Sequence, residues 1–499
     1  MSPSPFTLPS SLQGRKALVV GLGDTGASCV RWLVEREAQV RATDTRPEPP
    51  HALHITEAFP EVKLHLGGLD HGDFEWADLI VVSPGVPIAS VEVRWAMQAG
   101  KDVVGDVELF AREIAASRLT PRASRVIAIT GSNGKSTVTS LAGHLCKSAG
   151  LDTVVAGNIG LPVLDALDER ETGGSNPDIW VLELSSFQLE TTTSLKPDAA
   201  TVLNLSEDHL DRYAGMDDYA AAKARIFAGN GAQILNRDDP RVMVLAQPGR
   251  VVHSFGLDAG GEYGLLDRDG RTWLAVDGHS VFPVDALPIA GLHNAANALA
   301  ALALCQAAGV PLQAMLGGLA SFRGLPHRVE KIGELARRSF YDDSKGTNVG
   351  ATAAALTGFK VPVVLIAGGD GKGQDFSPLR PAVSNARAVV QIGRDGPLIE
   401  EAIAGACPVV RAEGMEEAVQ TAFALSEPGD AILLSPACAS WDMFRNYAHR
   451  AEVFVAAFEG LAEQAGESRR GLDRRRPDAA ATQLEKERRQ AKRRRDDVS

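Results

Sequence analysis

The stretch RVIAITGSNGKSTVTSLAGHLCKSAG, residues 125–150, constrains the fold most. An apolar run stops at a glycine-rich turn and a helical repeat begins straight after it. Strand, loop and helix in that order form part of an α/β layer in which the backbone N–H groups of the helix start face whatever lies beyond the strand end. Within TGSNGKST, Gly131 and Gly134 free the backbone to curl around phosphate oxygens, with Ser132 and Asn133 between them. Lys135 supplies a point charge for β- and γ-phosphates, Ser136 can hold Mg²⁺, and Thr137 continues into the helix. The spacing G-x-x-G-K-S-T is two residues shorter than the usual phosphate loop.

A second strand–glycine–helix start precedes it. KALVVGLGDTGASCVRWLVEREAQVRATDTR carries Gly21, Gly23 and Gly26 as G-x-G-x-x-G, and the next strand ends at Asp44. Taken alone, this pattern fits NAD or NADP, another nucleotide diphosphate, or a tight Rossmann-like turn without such a ligand. DLIVVSPGVP adds a buried strand ending in a Pro-Gly turn, and a helix is expected around Val91 to Ala99.

Further strands are expected at IWVLELS and AATVLNLS behind the phosphate loop, then at PVVLIAGG, AVVQIG and DAILLSP in a third segment beginning near Arg328. The fold class is therefore α/β with largely parallel sheets and three domains: 1–107, 108–324 and 325–465, with a tail at 466–499. SRLTPRAS reads as a connecting loop and GLPHR as a hinge-like joint. Glu183 at the end of IWVLE is placed to bind Mg²⁺, and His209 follows the next strand. Lys223 on its own reads as a solvated helix lysine. YDDSKGTN, AGGDGKGQDF and SPACASWDMF fall at strand-to-loop transitions and together read as an anion or amino-acid pocket.

Charge narrows the partners. The formal −12 averages −17 over residues 1–465 with +5 over 466–499. An acidic body argues against nucleic-acid binding, which needs a basic surface. The tail is too poor in apolar residues to bury a core and is expected to be disordered. No apolar stretch is long enough to span a membrane, and the first residues lack a signal core, so the expected location is cytoplasmic. Cys29, Cys146, Cys305, Cys407 and Cys438 lie far apart and read as reduced packing residues.

Taken in order, GSNGKST, ELSSFQLE, EDHLDRY through Lys223, GLHNAANALAA, LPHRVE, DDSKGTN, GGDGKGQDF and LSPACAS resemble the Mur ligases of peptidoglycan synthesis, specifically the D-glutamate-adding branch. The resemblance runs from about Lys16 to about Leu461. It implies a Rossmann-like first domain that holds the UDP part of a sugar substrate rather than NAD, lined by Asp24, Thr25, Thr45, Arg46 and Ser83. It implies a central domain binding ATP through Gly131 to Thr137 with Asn294 and Asn297. A Rossmann-like third domain would bring Arg328, Asp343 and Lys345 to ATP and Thr347, Lys372, Ser440, Trp441 and Tyr447 to D-glutamate. Tyr447 departs from the family pattern, where this aromatic is often Phe.

The implied substrates are ATP, UDP-N-acetylmuramoyl-L-alanine and D-glutamate, joined through an acyl phosphate and a tetrahedral intermediate. Ser136, Glu183 and His209 would hold two Mg²⁺ ions, and Lys223 matches a family lysine carbamylated by CO₂ that helps bind the second. Asn158 would orient the muramoyl-alanine end, and His209 is a candidate to assist deprotonation of the incoming amine. A monomer that closes on its substrates is expected. Alternatives are a Mur-type ligase for another amino acid, folylpolyglutamate synthetase, an NAD-dependent dehydrogenase, or a phosphate-binding regulator without catalysis. The absence of a D-N-P-R motif argues against the diaminopimelate-adding type.

Overall fold

The computed structural model describes residues 12–117, 123–209, 212–289 and 291–464. The tail expectation for 466–499 and the middle of SRLTPRAS fall outside these residues. The chain divides into two compact units, one of residues 1–326 with 372–374, the other of 327–371 with 375–499. The break at 326 to 327 falls inside GLPHR.

The first unit holds two sheets. The first contains β1 (Lys16–Val20), β2 (Gln39–Asp44), β3 (Lys63–Leu66), β4 (Leu79–Val82) and β5 (Asp102–Val104), all parallel in the order β3-β2-β1-β4-β5. The strand order reverses on either side of β1, so a crevice opens beyond the carboxyl ends of β1, β2 and β4. Trp32 and Leu33 of the helix Asp24–Glu35 fill one face, while Phe74 and Val93 cover the other.

The second sheet contains β6 (Arg125–Thr130), β7 (Thr153–Gly157), β8 (Ile179–Glu183), β9 (Ala199–Val202), β10 (Ala232–Asn236), β11 (Val252–Phe255), β12 (Tyr263–Arg268), β13 (Arg271–Val276) and β14 (His279–Pro283). Its order is β14-β13-β12-β11-β10-β9-β6-β8-β7. The central strands are parallel and buried on both faces, which is why IWVLE reads as a continuous apolar run. Ile179 and Val181 meet the helices Lys135–Ser148 and Leu292–Ala307 on one face, and Trp180 and Leu182 pack with Phe110 on the other. The antiparallel meander β12-β13-β14 extends the sheet beyond the strands expected from the sequence.

The second unit holds β15 (Glu330–Leu335), β16 (Arg338–Asp342), β17 (Val363–Gly368), β18 (Ala386–Ile392), β19 (Val409–Arg411) and β20 (Ala431–Leu434), in the order β15-β16-β20-β17-β18-β19. All but the β15-β16 hairpin are parallel, and two clusters, around Phe454 and around Leu379, cover its faces. All five cysteines are free thiols and only Cys407 is partly exposed, in keeping with packing roles. Among the described residues no helix is long and apolar enough to cross a membrane.

Candidate active site

The first glycine loop lies at the crevice of the first sheet. Pairing of Val20 with Thr43 and with Val82 sets Gly21, Asp44 and Ser83 side by side past the strand ends. A Cβ on Gly26 would sit 1.8 Å from Gly21 O, so the third glycine lets the helix approach the strand end. Ser83 Oγ donates to Gly21 O at 2.8 Å and steadies the turn.

Asp44 decides between the ligands left open by G-x-G-x-x-G. Its Oδ1 accepts from Arg46 N (2.8 Å) and Arg46 Nε (2.9 Å). Its Oδ2 accepts from Leu22 N and from an Arg46 guanidinium nitrogen, both at 2.7 Å. Burial pushes this carboxyl upward, but the Arg46 hydrogen bonds and the Leu22 N–H outweigh it and hold it below the ordinary carboxylate range. An acidic residue in a dinucleotide site needs lone pairs free for ribose hydroxyls, whereas those of Asp44 are taken. Half-exposed Arg46 therefore sits as a fixed cation at the crevice rim. Asp24 is exposed and pairs with His51 Nε2 at 2.7 Å, Thr25 is half-buried and Thr45 exposed.

The phosphate loop is held more elaborately than its sequence discloses. Gly131 (φ +152°) and Gly134 (φ +84°) adopt conformations open mainly to glycine. A Cβ on Gly134 would lie 2.7 Å from Asn297 Oδ1, which places Asn297 against the loop, and Asn297 Nδ2 in turn donates to Asn294 Oδ1 at 3.1 Å. Asn204 clamps the turn from beyond β9: its Oδ1 accepts from Asn133 N (2.8 Å), its Nδ2 donates to Asn133 O (3.0 Å), and its carbonyl accepts from Ser132 N (2.9 Å). The Lys135 ammonium curls over the turn, donating to Gly131 O and Ser132 O at 2.9 Å each. Ser136 and Thr137 are buried at the helix start.

Glu183 meets this loop through strand register, since β8 pairs with β6 at Ile129 and with β7 at Gly157. It is 1% exposed; Oε1 accepts from Asn158 Nδ2 at 2.7 Å, while Oε2 has no hydrogen-bond partner among the described residues. A buried carboxylate oxygen left unpaired beside a phosphate loop fits a divalent cation, which needs anionic oxygen. Three-residue ligand clusters occur instead at His65–Asp70–Asp73 and His327–Glu330–Asp342. That does not count against Glu183, because Mg²⁺ takes one or two carboxylates and completes its shell with phosphate and water.

Lys223 is not a solvated helix lysine. It is 1% exposed, and its Nζ donates to Gly131 O at 2.9 Å and lies 4.6 Å from the Tyr219 ring centre. Burial, then the charge of Lys135, pushes its pKa well below the ordinary lysine value, so the amine is held toward its neutral form. His209 has φ +56°, stacks edge-on against Phe187 at 4.8 Å and is pushed toward neutral imidazole by burial, with Asp208 partly opposing.

In the second unit, Asp343 Oδ2 accepts from Ser435 Oγ at 2.7 Å, and burial pushes its pKa up to about 7. The Lys345 Nζ lies 5.0 Å from the Tyr447 ring centre, and Thr347 N donates to Lys345 O at 2.9 Å. Lys372, at φ +52°, follows Gly371 but groups with the first unit. Ser440 is buried, whereas Trp441 is 76% exposed and Tyr447 is 36% exposed. Two residues absent from the sequence expectations organise this region. Arg450 is fully buried and donates to Ser344 Oγ (3.0 Å), Ser344 O (2.7 Å) and Cys438 O (3.1 Å); burial lowers its pKa to about 10. His327 Nδ1 is 2.6 Å from Asp342 Oδ2, and that bond raises the imidazole pKa. Arg450 stands in no recognisable local motif, and His327 falls in LPHRVE without that segment assigning it a role.

Comparison with known proteins agrees with this layout. Residues 15–105 match the Mur ligase MurD-like N-terminal domain, 129–305 the Mur ligase middle domain and 327–438 the Mur ligase glutamate ligase domain. Proteins of Thiobacillus denitrificans and Chromobacterium violaceum, both named UDP-N-acetylmuramoylalanine--D-glutamate ligase, are 57% and 56% identical to it. The matches cover 91% of this chain and 98% of the first protein, and 88% and 96% for the second. The solved structure of a UDP-N-acetylmuramate-alanine ligase, MurC, from Thermotoga maritima shares the fold, with a TM-score of 0.56 at 19% identity over 89% of this chain and 99% of that one. With three successive domain matches and relatives of this identity along nearly its whole length, the chain belongs to the Mur ligase family.

Proposed function

We propose that this chain is an ATP-dependent carbon–nitrogen ligase that joins the L-alanine carboxylate of UDP-N-acetylmuramoyl-L-alanine to the amine of D-glutamate in peptidoglycan precursor synthesis. The observation that carries the phosphoryl-transfer half is the unpaired oxygen of buried Glu183 beside the Lys135 loop. The choice of amino acid follows the name of the relatives.

A carboxylate and an amine do not condense unaided in water, so the acid is first activated. Attack of the L-alanine carboxylate on the γ-phosphate of ATP gives an acyl phosphate and ADP. Both reactants are anionic, and Lys135, released from Gly131 O and Ser132 O, would screen their repulsion. Ser136 and Glu183 would hold one Mg²⁺ and His209 a second, with Lys223 contributing as a carbamate. Bound there, the ions would neutralise charge on the transferring phosphoryl group. Burial pushes Lys223 toward the neutral amine, the form that would attack CO₂ and lose a proton to become an anion. Asn158, tied to Glu183, would orient the muramoyl-alanine end.

The D-glutamate amine then attacks the acyl carbon, and the tetrahedral intermediate expels phosphate. His209 as neutral imidazole is the form that holds a metal or takes a proton. Asp24, Thr25, Thr45, Arg46 and Ser83 are assigned to the UDP portion, and Gly131 to Thr137 with Asn294 and Asn297 to ATP. Arg328, Asp343 and Lys345 are assigned to nucleotide, and Thr347, Lys372, Ser440, Trp441 and Tyr447 to D-glutamate. The domain limits 1–107, 108–324 and 325–465, the cytoplasmic location and a monomeric state belong to the same reading.

Multiple-turnover ADP release that requires both UDP-N-acetylmuramoyl-L-alanine and D-glutamate, and that vanishes in Lys135→Ala, is the expected result; a single turnover of ADP needs the UDP-sugar alone. Turnover with another amino acid in place of D-glutamate, or NADH-linked absorbance change without ADP, would overturn it.

A further inference from the structure

Three loops meet backbone to backbone beyond β17, β18 and β20. A Cβ on Gly369 would lie 2.3 Å from Ala439 O, and one on Gly393 would lie 2.6 Å from Asp442 Oδ2 and 2.8 Å from Gly369 N. Asp370 and Ala439 exchange N–H···O bonds of 3.0 and 2.8 Å. Such close approach leaves little slack, so the groups that tie the loops fix what the loops present.

The ties converge on the sequence GRD at 393–395. Asp395 grips the first loop twice: its Oδ2 accepts from Gly371 N at 2.7 Å and its own N–H donates to Gly369 O at 3.0 Å. Arg394 reaches the other side, its N–H donating to Asp442 Oδ2 at 2.9 Å and its guanidinium to Asp370 Oδ1 at 2.5 Å. Lys372 follows Gly371 directly and sits at φ +52°. Ser440 and Trp441 lie between the Ala439 and Asp442 anchor points.

We propose that Asp395, braced by Arg394, is a positioning residue for the amino-acid substrate: it holds the Gly369–Gly371 loop, which leads into Lys372, in register with the loop carrying Ser440, and so fixes the second unit's side of the geometry that receives a dicarboxylic amine. This rests on the assignment of Lys372 and Ser440 to D-glutamate. A charged acceptor closing one loop N–H and one ion pair is the kind of contact whose loss lets a binding loop relax without unfolding its sheet.

Steady-state kinetics of the full chain separates positioning from general damage. Asp395→Ala is expected to raise the KM for D-glutamate about ten-fold or more, the equivalent of one lost charge-assisted hydrogen bond. The KM values for ATP and the UDP-sugar should hold, as should single-turnover ADP formation without D-glutamate. Asp395→Asn, which keeps an oxygen facing Gly371 N–H, should recover most of the loss. If the alanine variant does not fold, Asp395→Glu, whose extra methylene moves the carboxylate off Gly371, takes its place with the same expectation. An unchanged D-glutamate KM, or an equal loss in the D-glutamate-free ADP step, would overturn the proposal. Lys372→Ala is the control: if it leaves the D-glutamate KM unchanged, the assignment of Lys372 fails. If it raises KM while Asp395→Ala does not, the positioning role alone fails.

Discussion

Asp106→Asn isolates the cost of one buried charge. Asp106 opens the helix Asp106–Ser117 and is 2% exposed. Among the described residues its Oδ1 is left without a hydrogen-bond partner, and Oδ2 receives a 3.3 Å bond from Gln188 Nε2. Burial pushes its pKa from 3.8 up to about 6, against weaker pulls from Val107 N–H and Gln188. Between those two values the native state keeps a proton that the unfolded chain has released, so stability falls as pH rises through the window. Above about pH 6 both states are ionised and the whole penalty is in place. A shift of about two units at roughly 1.4 kcal/mol each puts that penalty near 3 kcal/mol. Asparagine keeps the shape and removes the charge. Urea denaturation followed by tryptophan fluorescence should therefore show the variant more stable than the parent at pH 7.5 by about 1–3 kcal/mol, the lower figure allowing for a buried amide left unpaired. The gap should shrink toward zero near pH 4. A variant less stable at pH 7.5, or a gap independent of pH, would refute the reasoning.

Two further substitutions test other joints. Gly26→Ala forces a Cβ into Gly21 O, so the strand–helix turn must open; a loss of about 1–3 kcal/mol is expected. An unchanged thermal midpoint would contradict the close-packing role of that glycine. Arg450→Ala strands three buried acceptors on Ser344 and Cys438 and is expected to cost about 3 kcal/mol in the second unit. Because Ser344 lies between Asp343 and Lys345, the KM for ATP should rise as well, and a variant of full stability with unchanged ATP kinetics would count against it.

What the sequence discloses divides along a physical line. Strands buried on both faces, such as IWVLE and VVLIAG, announce themselves as apolar runs, because a parallel sheet needs no polar alternation. The meander β12-β13-β14 leaves a different signal, in its turns rather than its strands. Asp269–Gly270 and Asp277–Gly278 have φ values of +55°, +74° and +48°, +74°, the Asp-Gly turns that favour hairpins. The β15-β16 turn has the same geometry at Ala336 and Arg337, φ +48° and +61°, with residues that carry no such preference. There the sheet imposes the turn, and local sequence is silent.

The site follows the same rule. TGSNGKST is legible because one contiguous backbone does the binding, and each residue type has a reason within that one segment. Long-range contacts are not. Lys223 reaches Gly131 O across 92 residues and Asn204 clamps Asn133 across 71, so neither pairing leaves a spacing to read. Asp44 is the sharpest case: the strand-end acid of a dinucleotide fingerprint is plainly present, yet its meaning turns on whether Arg46 points outward or folds back. Only the side-chain geometry shows its lone pairs filled. A motif thus specifies a backbone before it specifies a ligand, and the ligand is decided by which polar atoms the rest of the fold leaves unpaired. By that criterion Asp44 is closed and Glu183 is open, and it is the open oxygen, with the lysines beside it, that directs the chemistry toward phosphate.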